Sequence, residues 1–283
     1  MDTICTQFQT QLAGIKKELD DLEKGIKNIT IHGGTRSQRD ALHAQVKLIQ
    51  QKKEHLMKEY RQQVPTVLEQ WFKMRDFYDA SDMKADIQET GEVDVSFNGA
   101  LLLVSPIPQC VQSLLGEAIW AHIHNLSNIR HIRSNQTVFH CSASVFYAEK
   151  LSDFQGEVLF RAPEISPAYE RYNDLSQIQI FFPELQKNVG IMNFLLYNNV
   201  PFYRNKSISF YAPKLSECDS IHFGAVDSIR CNSLRKVNGF IETGPDIKSI
   251  KKAFPVLTDI TQTNFRAQNS LADREKNMLI AKK

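Results

Sequence analysis

No apolar run in the sequence exceeds the five residues Ala100–Val104, far short of the roughly 20 that a membrane-spanning helix needs. The amino terminus carries acidic residues and glutamines where a secretory signal carries a basic and then an apolar segment, so a cytosolic, non-membrane protein is expected. Excess charge is missing too. Lys and Arg number 34 against 32 Asp and Glu, a formal +2, and no global field argues for nucleic acid as a partner. Cysteine is sparse: residues 5, 110, 141, 218 and 231 are an odd set at wide spacing, which suits free, mostly buried thiols rather than a disulfide framework. The sequons at Asn28, Asn125, Asn135 and Asn205 are then chance matches.

Catalytic signatures are equally scarce. There is no Gly-rich phosphate loop, nucleophile elbow or kinase motif, and Gly33-Gly34 reads as a turn between helices. His122 and His124 alternate on one predicted strand, with His131 and His140-Cys141 downstream, but no Cys-x-x-Cys pair accompanies them. Neither a metal, a cofactor nor a self-contained enzyme is expected.

The apolar positions Ile4, Phe8, Leu12, Ile15, Leu19, Leu22 and Ile26 are spaced by four and three, a heptad seam on a helix. His32-Gly33-Gly34 breaks it, and Thr35 or Ser37 can cap a second helix with Leu42, Val46, Ile49, Leu56 and Tyr60 on one face. Pro65 reads as the first turn of a third helix carrying Leu68, Trp71, Phe72, Arg75 and Tyr78 and fading by Glu89. The short loops favour an antiparallel three-helix bundle over the alternative, a parallel homodimeric coiled coil.

Helical period stops at Gln88–Glu92 and period-two patterning begins at Val93, Val95 and Phe97. The division expected is therefore α+β: a helical bundle over 1–88, a β-domain over 93–262 and a helical tail over 263–283, with a short helical turn at Asp246–Phe254 and a terminal helix from Asn269. Ser207–Val226 reads as two successive turns of a β-solenoid, with strands Ser207–Tyr211 and Ser220–Phe223 around a corner at Pro213, Ser216 and Asp219. A Leu-Ser corner followed by a β-branched and aromatic strand recurs at Leu126-Ser127, Leu151-Ser152, Leu175-Ser176 and Leu215-Ser216. An ordinary antiparallel β-domain is the alternative.

This order of parts, and several short strings, resemble the tubulin-binding cofactor C family. Ala162-Pro163-Glu164-Ile165 looks like the family's opening corner, Glu184-Leu185-Gln186 falls where a Gln-Leu-Arg run is found, Glu217 to Ala225 resembles its cysteine-bearing turn, and Phe254, Leu257, Asp259 and Ile260 its tail. The resemblance implies a cytoplasmic, cytoskeleton-associated chaperone of tubulin folding, a monomer that meets tubulin or a small GTPase and other tubulin-folding cofactors, with Phe254 and Asp259 at the partner surface. It also implies that Gln186 stands where the family has an arginine finger, or, in an alternative register, that Arg130 is that arginine. Glutamine offers hydrogen bonds but no charge to a transferring phosphate, so at most a weak GTPase activator is expected. The rival reading is a structural adaptor of kinetochore or coat type, dimerised by its heptads and docking a peptide on its β-domain.

Overall fold

The structure, a computed structural model, describes residues 2–75, 77–78, 81–103, 106–122, 126–140, 145–161, 177–193, 207–222, 228–243, 254–257 and 264–267. Helix α1 (Asp2–Ile31) and helix α2 (Arg36–Arg75) form an antiparallel hairpin. α1 stops because Gly33 takes φ 72° and the Gly34 N–H reaches back to the Ile29 carbonyl at 2.8 Å, a left-handed C-terminal cap open to glycine. α2 starts with a reciprocal capping box: the Thr35 N–H donates to Gln38 Oε1 at 3.0 Å and the Gln38 N–H to Thr35 Oγ1 at 3.3 Å. The heptad seam of α1 lies against α2 of the same chain.

The expected third helix is corrected in two ways. Pro65 lies inside α2 instead of opening a new helix. An interior proline costs about 3 kcal/mol, but Val64, Leu68 and Phe72 are fully buried on the face that α2 turns to the β-region, and burying each such side chain returns about 1.5–3 kcal/mol. Beyond Arg75 the chain is β: strand β1 (Phe77–Tyr78) is followed by β2 (Ser81–Ile87). In β2, Met83, Ala85 and Ile87 are the more buried and Asp82, Lys84 and Asp86 the exposed set, a period of two. β2 forms an antiparallel hairpin with β3 (Val93–Asn98), so the stretch 88–92 is the turn of one hairpin.

The remaining strands are β4 (Ala100–Leu103), β5 (Val111–His122), β6 (His131–His140), β7 (Val145–Tyr147), β8 (Asp153–Arg161), β9 (Gln177–Phe181), β10 (Lys187–Asn193), β11 (Ser207–Tyr211), β12 (Glu217–His222), β13 (Ser228–Arg230), β14 (Lys236–Val237), β15 (Phe240–Thr243) and β16 (Asn264–Ala267). A 12-stranded sheet runs β1-β4-β5-β6-β8-β10-β12-β15-β16, with β2, β3 and β14 alongside. Every pairing in it is parallel except β1 with β4 and β2 with β3. The second sheet, β13-β11-β9-β7, is parallel throughout. From β6 to β14 the chain alternates between the two sheets, each pass adding one strand to each. An ordinary antiparallel β-domain is thereby excluded, and the fold is α+β with a mostly parallel sheet.

Phenylalanines fill the space between the sheets. Phe139 meets Phe154 and Phe160 at centroid distances of 5.7 and 5.4 Å, and Phe182 lies 5.9 Å from each of Phe154, Phe160 and Phe210. Such edge-on and tilted pairs add to the stabilisation from burial. The long strands bend at stacked glycines. Gly156 and Gly190 have φ of 116° and 121°, and a Cβ there would run into the carbonyl oxygens of Ser134 and Gly156, respectively, so neither position tolerates a side chain.

The cysteines differ from expectation. Cys5 and Cys110 are disulfide-bonded across 105 residues with a Cα separation of 5.7 Å, because the first turn of α1 lies over the chain just before β5. Cys218 and Cys231 are free and buried, and Cys141 lies outside the described residues. No helix among the described residues is long and apolar enough to cross a membrane. Of the tail, residues 264–267 are strand β16, paired with β15, and the helices expected at Asp246–Phe254 and from Asn269 fall outside the described residues apart from Phe254.

Candidate functional site: an exposed edge of stacked corners

One edge of the β-region is built from a repeated four-residue turn. Its members are Leu126–Ile129, Phe182–Leu185, Ala212–Leu215, Cys231–Leu234 and Phe254–Leu257, each closed by the N–H of its last residue to the carbonyl of its first at 3.0–3.3 Å. Both terminal side chains of each turn are buried, while the two between them face outward or lie half-buried. Ala148 to Leu151 occupies the same place in the stack, again with both ends buried.

The residue after each turn begins a column that runs across the strands. Ser152 N–H donates to the Arg130 carbonyl (2.8 Å), Gln186 N–H to Ser152 (2.7 Å), Ser216 N–H to Gln186 (2.9 Å) and Arg235 N–H to Ser216 (3.0 Å). The Ser152 and Ser216 hydroxyls donate to the same carbonyls, Arg130 at 3.0 Å and Gln186 at 3.2 Å. Gln186 and Arg130, offered by two different registers of the sequence, therefore stand in one column, two positions apart. A third residue, Arg235, stands two positions beyond Gln186. Arg130 is engaged with Glu92 at 3.2 Å. Arg235 is exposed and, among the described residues, its guanidinium has no partner.

The neighbouring column alternates in charge. Glu217 accepts from Lys236 at 3.1 Å and from Asn238 at 3.3 Å, with Lys187 at 3.8 Å. These donors, Lys236 foremost, hold the Glu217 carboxyl below the usual carboxylate range. One turn position earlier, Lys214 meets Glu184 at 2.6 Å and Lys150 donates to Asn128 at 3.2 Å. Glu184 and Glu217 are thus neutralised within the edge, whereas Arg235, like Lys150, has no carboxylate partner among the described residues.

His131, Ser152 and Asp153 meet on this edge in the residue types of a hydrolase triad, yet the geometry is not catalytic. Asp153 and Ser152 both approach Nδ1 of His131, the serine at 3.4 Å, whereas a triad needs the serine on the other ring nitrogen. The Ser152 hydroxyl is already committed to the Arg130 carbonyl and to Asp153 at 3.1 Å. The group ties strands β6 and β8 together.

The other histidines do not gather. His122 and His140 are register partners at the far ends of β5 and β6, His131 is at the opposite end of β6, and His124 and Cys141 lie outside the described residues, among which no group of three ligating side chains could hold a metal. Phe254 is 1 % exposed and fills the inward end of the last corner. Asp259, like Ala162 to Ile165 and Phe223, lies outside the described residues. Ile221 and Cys218 are fully buried, and burial pushes both free thiols, Cys218 and Cys231, well above the ordinary cysteine range.

On the second sheet, Tyr147, Phe181, Tyr211 and Arg230 share an outward column. Phe181 and Tyr211 stack at 4.7 Å and Arg230 caps Tyr211 at 5.2 Å. The stacked faces of Phe181 and Tyr211 are spent on each other and on Arg230, which stiffens the sheet, while Tyr147 is tilted against Phe181 at 6.2 Å and stays exposed. A cleft of about 450 Å³ lies between the hairpin and the β2–β3 turn, floored by Leu12, Ile15 and Leu19 and rimmed by Lys16, Lys53 and Glu89.

Comparison with family models, with curated proteins and with solved structures finds no match for this chain.

Proposed function

We infer that the chain is a β-solenoid binding protein of the cofactor-C kind, a cytoplasmic, cytoskeleton-associated factor in tubulin folding that docks tubulin or a small GTPase on its corner edge. The alternation of strands between two parallel sheets supports reading the β-region as a solenoid in which each pass is one coil. A single observation carries the functional reading: Arg130, Gln186 and Arg235 share one exposed column. A flat edge with polar side chains at the roughly 4.8 Å repeat of adjacent strands suits a folded protein partner better than a buried small molecule. A cation on that edge can meet a phosphate or a carboxylate.

With Gln186 mid-column and Arg130 tied to Glu92, binding is the main activity and stimulation of GTP hydrolysis is weak. The test is a pull-down with the full chain against tubulin and a set of small GTPases, followed by single-turnover GTP hydrolysis with captured partners. Capture of tubulin or a GTPase, with hydrolysis raised by Gln186→Arg, supports the reading. Capture of neither partner defeats it. A large stimulation by the wild type that Arg130→Ala abolishes keeps the function but moves the catalytic position to Arg130. The adaptor alternative would instead show a dimer dissociating on dilution, assembled through residues 4–62.

A further inference from the structure

We propose that the Cys5–Cys110 disulfide is a reversible clasp that pins α1 to the β-region, and that its reduction frees the amino-terminal turns of α1 and opens the cleft beneath them. The inference rests on how few attachments α1 has. Cys5 and Phe8 are the only buried residues among those described in α1. Phe8 stacks on Tyr60 with centroids 3.6 Å apart and touches the space over Gly91. The polar ties from the hairpin to the β2–β3 turn come from α2: Tyr60 Oη donates to the Gly91 carbonyl at 3.4 Å, and Arg61 and Lys53 reach Glu89 at 2.9 and 3.2 Å. Breaking the disulfide therefore removes one of the two buried anchors of α1, leaving Phe8 and the half-buried contacts of Ile4 and Leu12, while the ties of α2 stay in place.

The chemistry is a two-electron exchange. A dithiol attacks one sulfur of the Cys5–Cys110 bond, passes through a mixed disulfide and closes to its own cyclic disulfide, leaving two protein thiols. Both cysteines are buried, so attack waits for local opening of the first turn of α1, and reduction is slower than for an exposed disulfide. The other two described cysteines do not compete, since burial keeps Cys218 and Cys231 as inert thiols. In a reducing compartment a disulfide is characteristically transient and redox-sensing. Here it joins two structural regions, where a change of state alters exposed surface: Leu12, Ile15 and Leu19 on α1 form the apolar floor of the cleft facing Lys53 and Glu89.

The experiment is amide hydrogen exchange on the full chain, air-oxidised or treated with dithiothreitol and alkylated, with peptide mapping to assign the bond. The clasp predicts a Cys5–Cys110 peptide in the oxidised sample. It also predicts at least a tenfold faster exchange over residues 3–19 on reduction, with β8 and β10 unchanged and the effect reversed by re-oxidation of unalkylated protein. Cys110→Ser should show the fast pattern without reductant and no response to dithiothreitol. Absence of the cross-linked peptide, unchanged exchange in α1, or equal loosening of β8 and β10 would each overturn the proposal. The last of these outcomes would mark a global staple. The wild-type comparison decides the matter if the variant does not fold.

Discussion

Gln186 and Arg130 are separated by a single residue in their column: the Gln186 N–H bonds to the Ser152 carbonyl at 2.7 Å, and the Ser152 N–H to the Arg130 carbonyl at 2.8 Å. The choice between two sequence registers is therefore a choice between two positions about 10 Å apart on one edge, given the roughly 4.8 Å strand spacing. A partner surface that covers one covers the other, and Arg235 lies within the same reach.

The bend glycines should be the least replaceable residues of the β-region. Gly156→Ala and Gly190→Ala each place a Cβ against a backbone carbonyl at a φ that L-residues rarely adopt. A loss of roughly 2–4 kcal/mol or complete misfolding is expected from strain and clash together. Urea denaturation checks it, and a loss under about 0.5 kcal/mol, the surface range, would mean that the strands do not bend there.

Phe182 sits among Phe154, Phe160 and Phe210, 5.9 Å from each, and Phe182→Ala should lower stability by about 3–5 kcal/mol. Ile221→Ala, at a fully buried position of β12, should cost about 2–5 kcal/mol. Arg235→Ala, exposed and without a partner among the described residues, should stay within about 0.5 kcal/mol. An Arg235→Ala loss as large as that of Phe182→Ala would contradict its placement on the surface.

Stability should fall at high pH through Tyr60. Burial raises its phenol from 10.0 to about 12, so the folded state favours the protonated form. A raised folded-state value means the contribution is complete below pH 10 and disappears as pH climbs from 10 to about 12. Tyr60→Phe should flatten that part of the stability–pH curve, measured by urea midpoints between pH 8 and 11.5. At the acid end Glu217 works with the opposite sign. Its carboxyl is held low by Lys236, Asn238 and Lys187, so its contribution is present above the ordinary carboxylate range and is lost as pH falls through the lowered value. Because the pair is exposed, Glu217→Gln should change the acid limb only slightly.

The sequence made the β-region's plan partly legible. Leu151-Ser152 and Leu215-Ser216 do hold equivalent corners, as the recurring dipeptide implies. Leu126-Ser127 lies three residues out of step, because Ile129-Arg130 fills that role, and Leu175-Ser176 is outside the described residues. A better signal was present. Phe182-Pro183-Glu184-Leu185, Ala212-Pro213-Lys214-Leu215 and Phe254-Pro255-Val256-Leu257 share an apolar-Pro-x-Leu turn, in which proline takes the outward position that needs no N–H partner. That pattern would have found the Gln186 corner directly and, relaxed at the proline, Cys231–Leu234 with Arg235 after it. The helices were legible down to the Thr35 cap but not at Pro65, where tertiary burial outweighs a local breaker. The Cys5–Cys110 bond was hidden for a different reason: a contact across 105 residues is a property of the assembled fold, and local spacing carries no trace of it.

The most direct test of the edge as a partner surface is the affinity of purified αβ-tubulin, and of any captured small GTPase, for the wild-type chain and for the double variant Arg130→Glu/Arg235→Glu, with folding verified by circular dichroism. Saturable wild-type binding that the double reversal weakens at least tenfold is expected, while Glu23→Lys, exposed on α1 and outside the corner edge, leaves it within twofold. Binding by neither partner, or equal binding by wild type and double variant, would contradict this role for the edge.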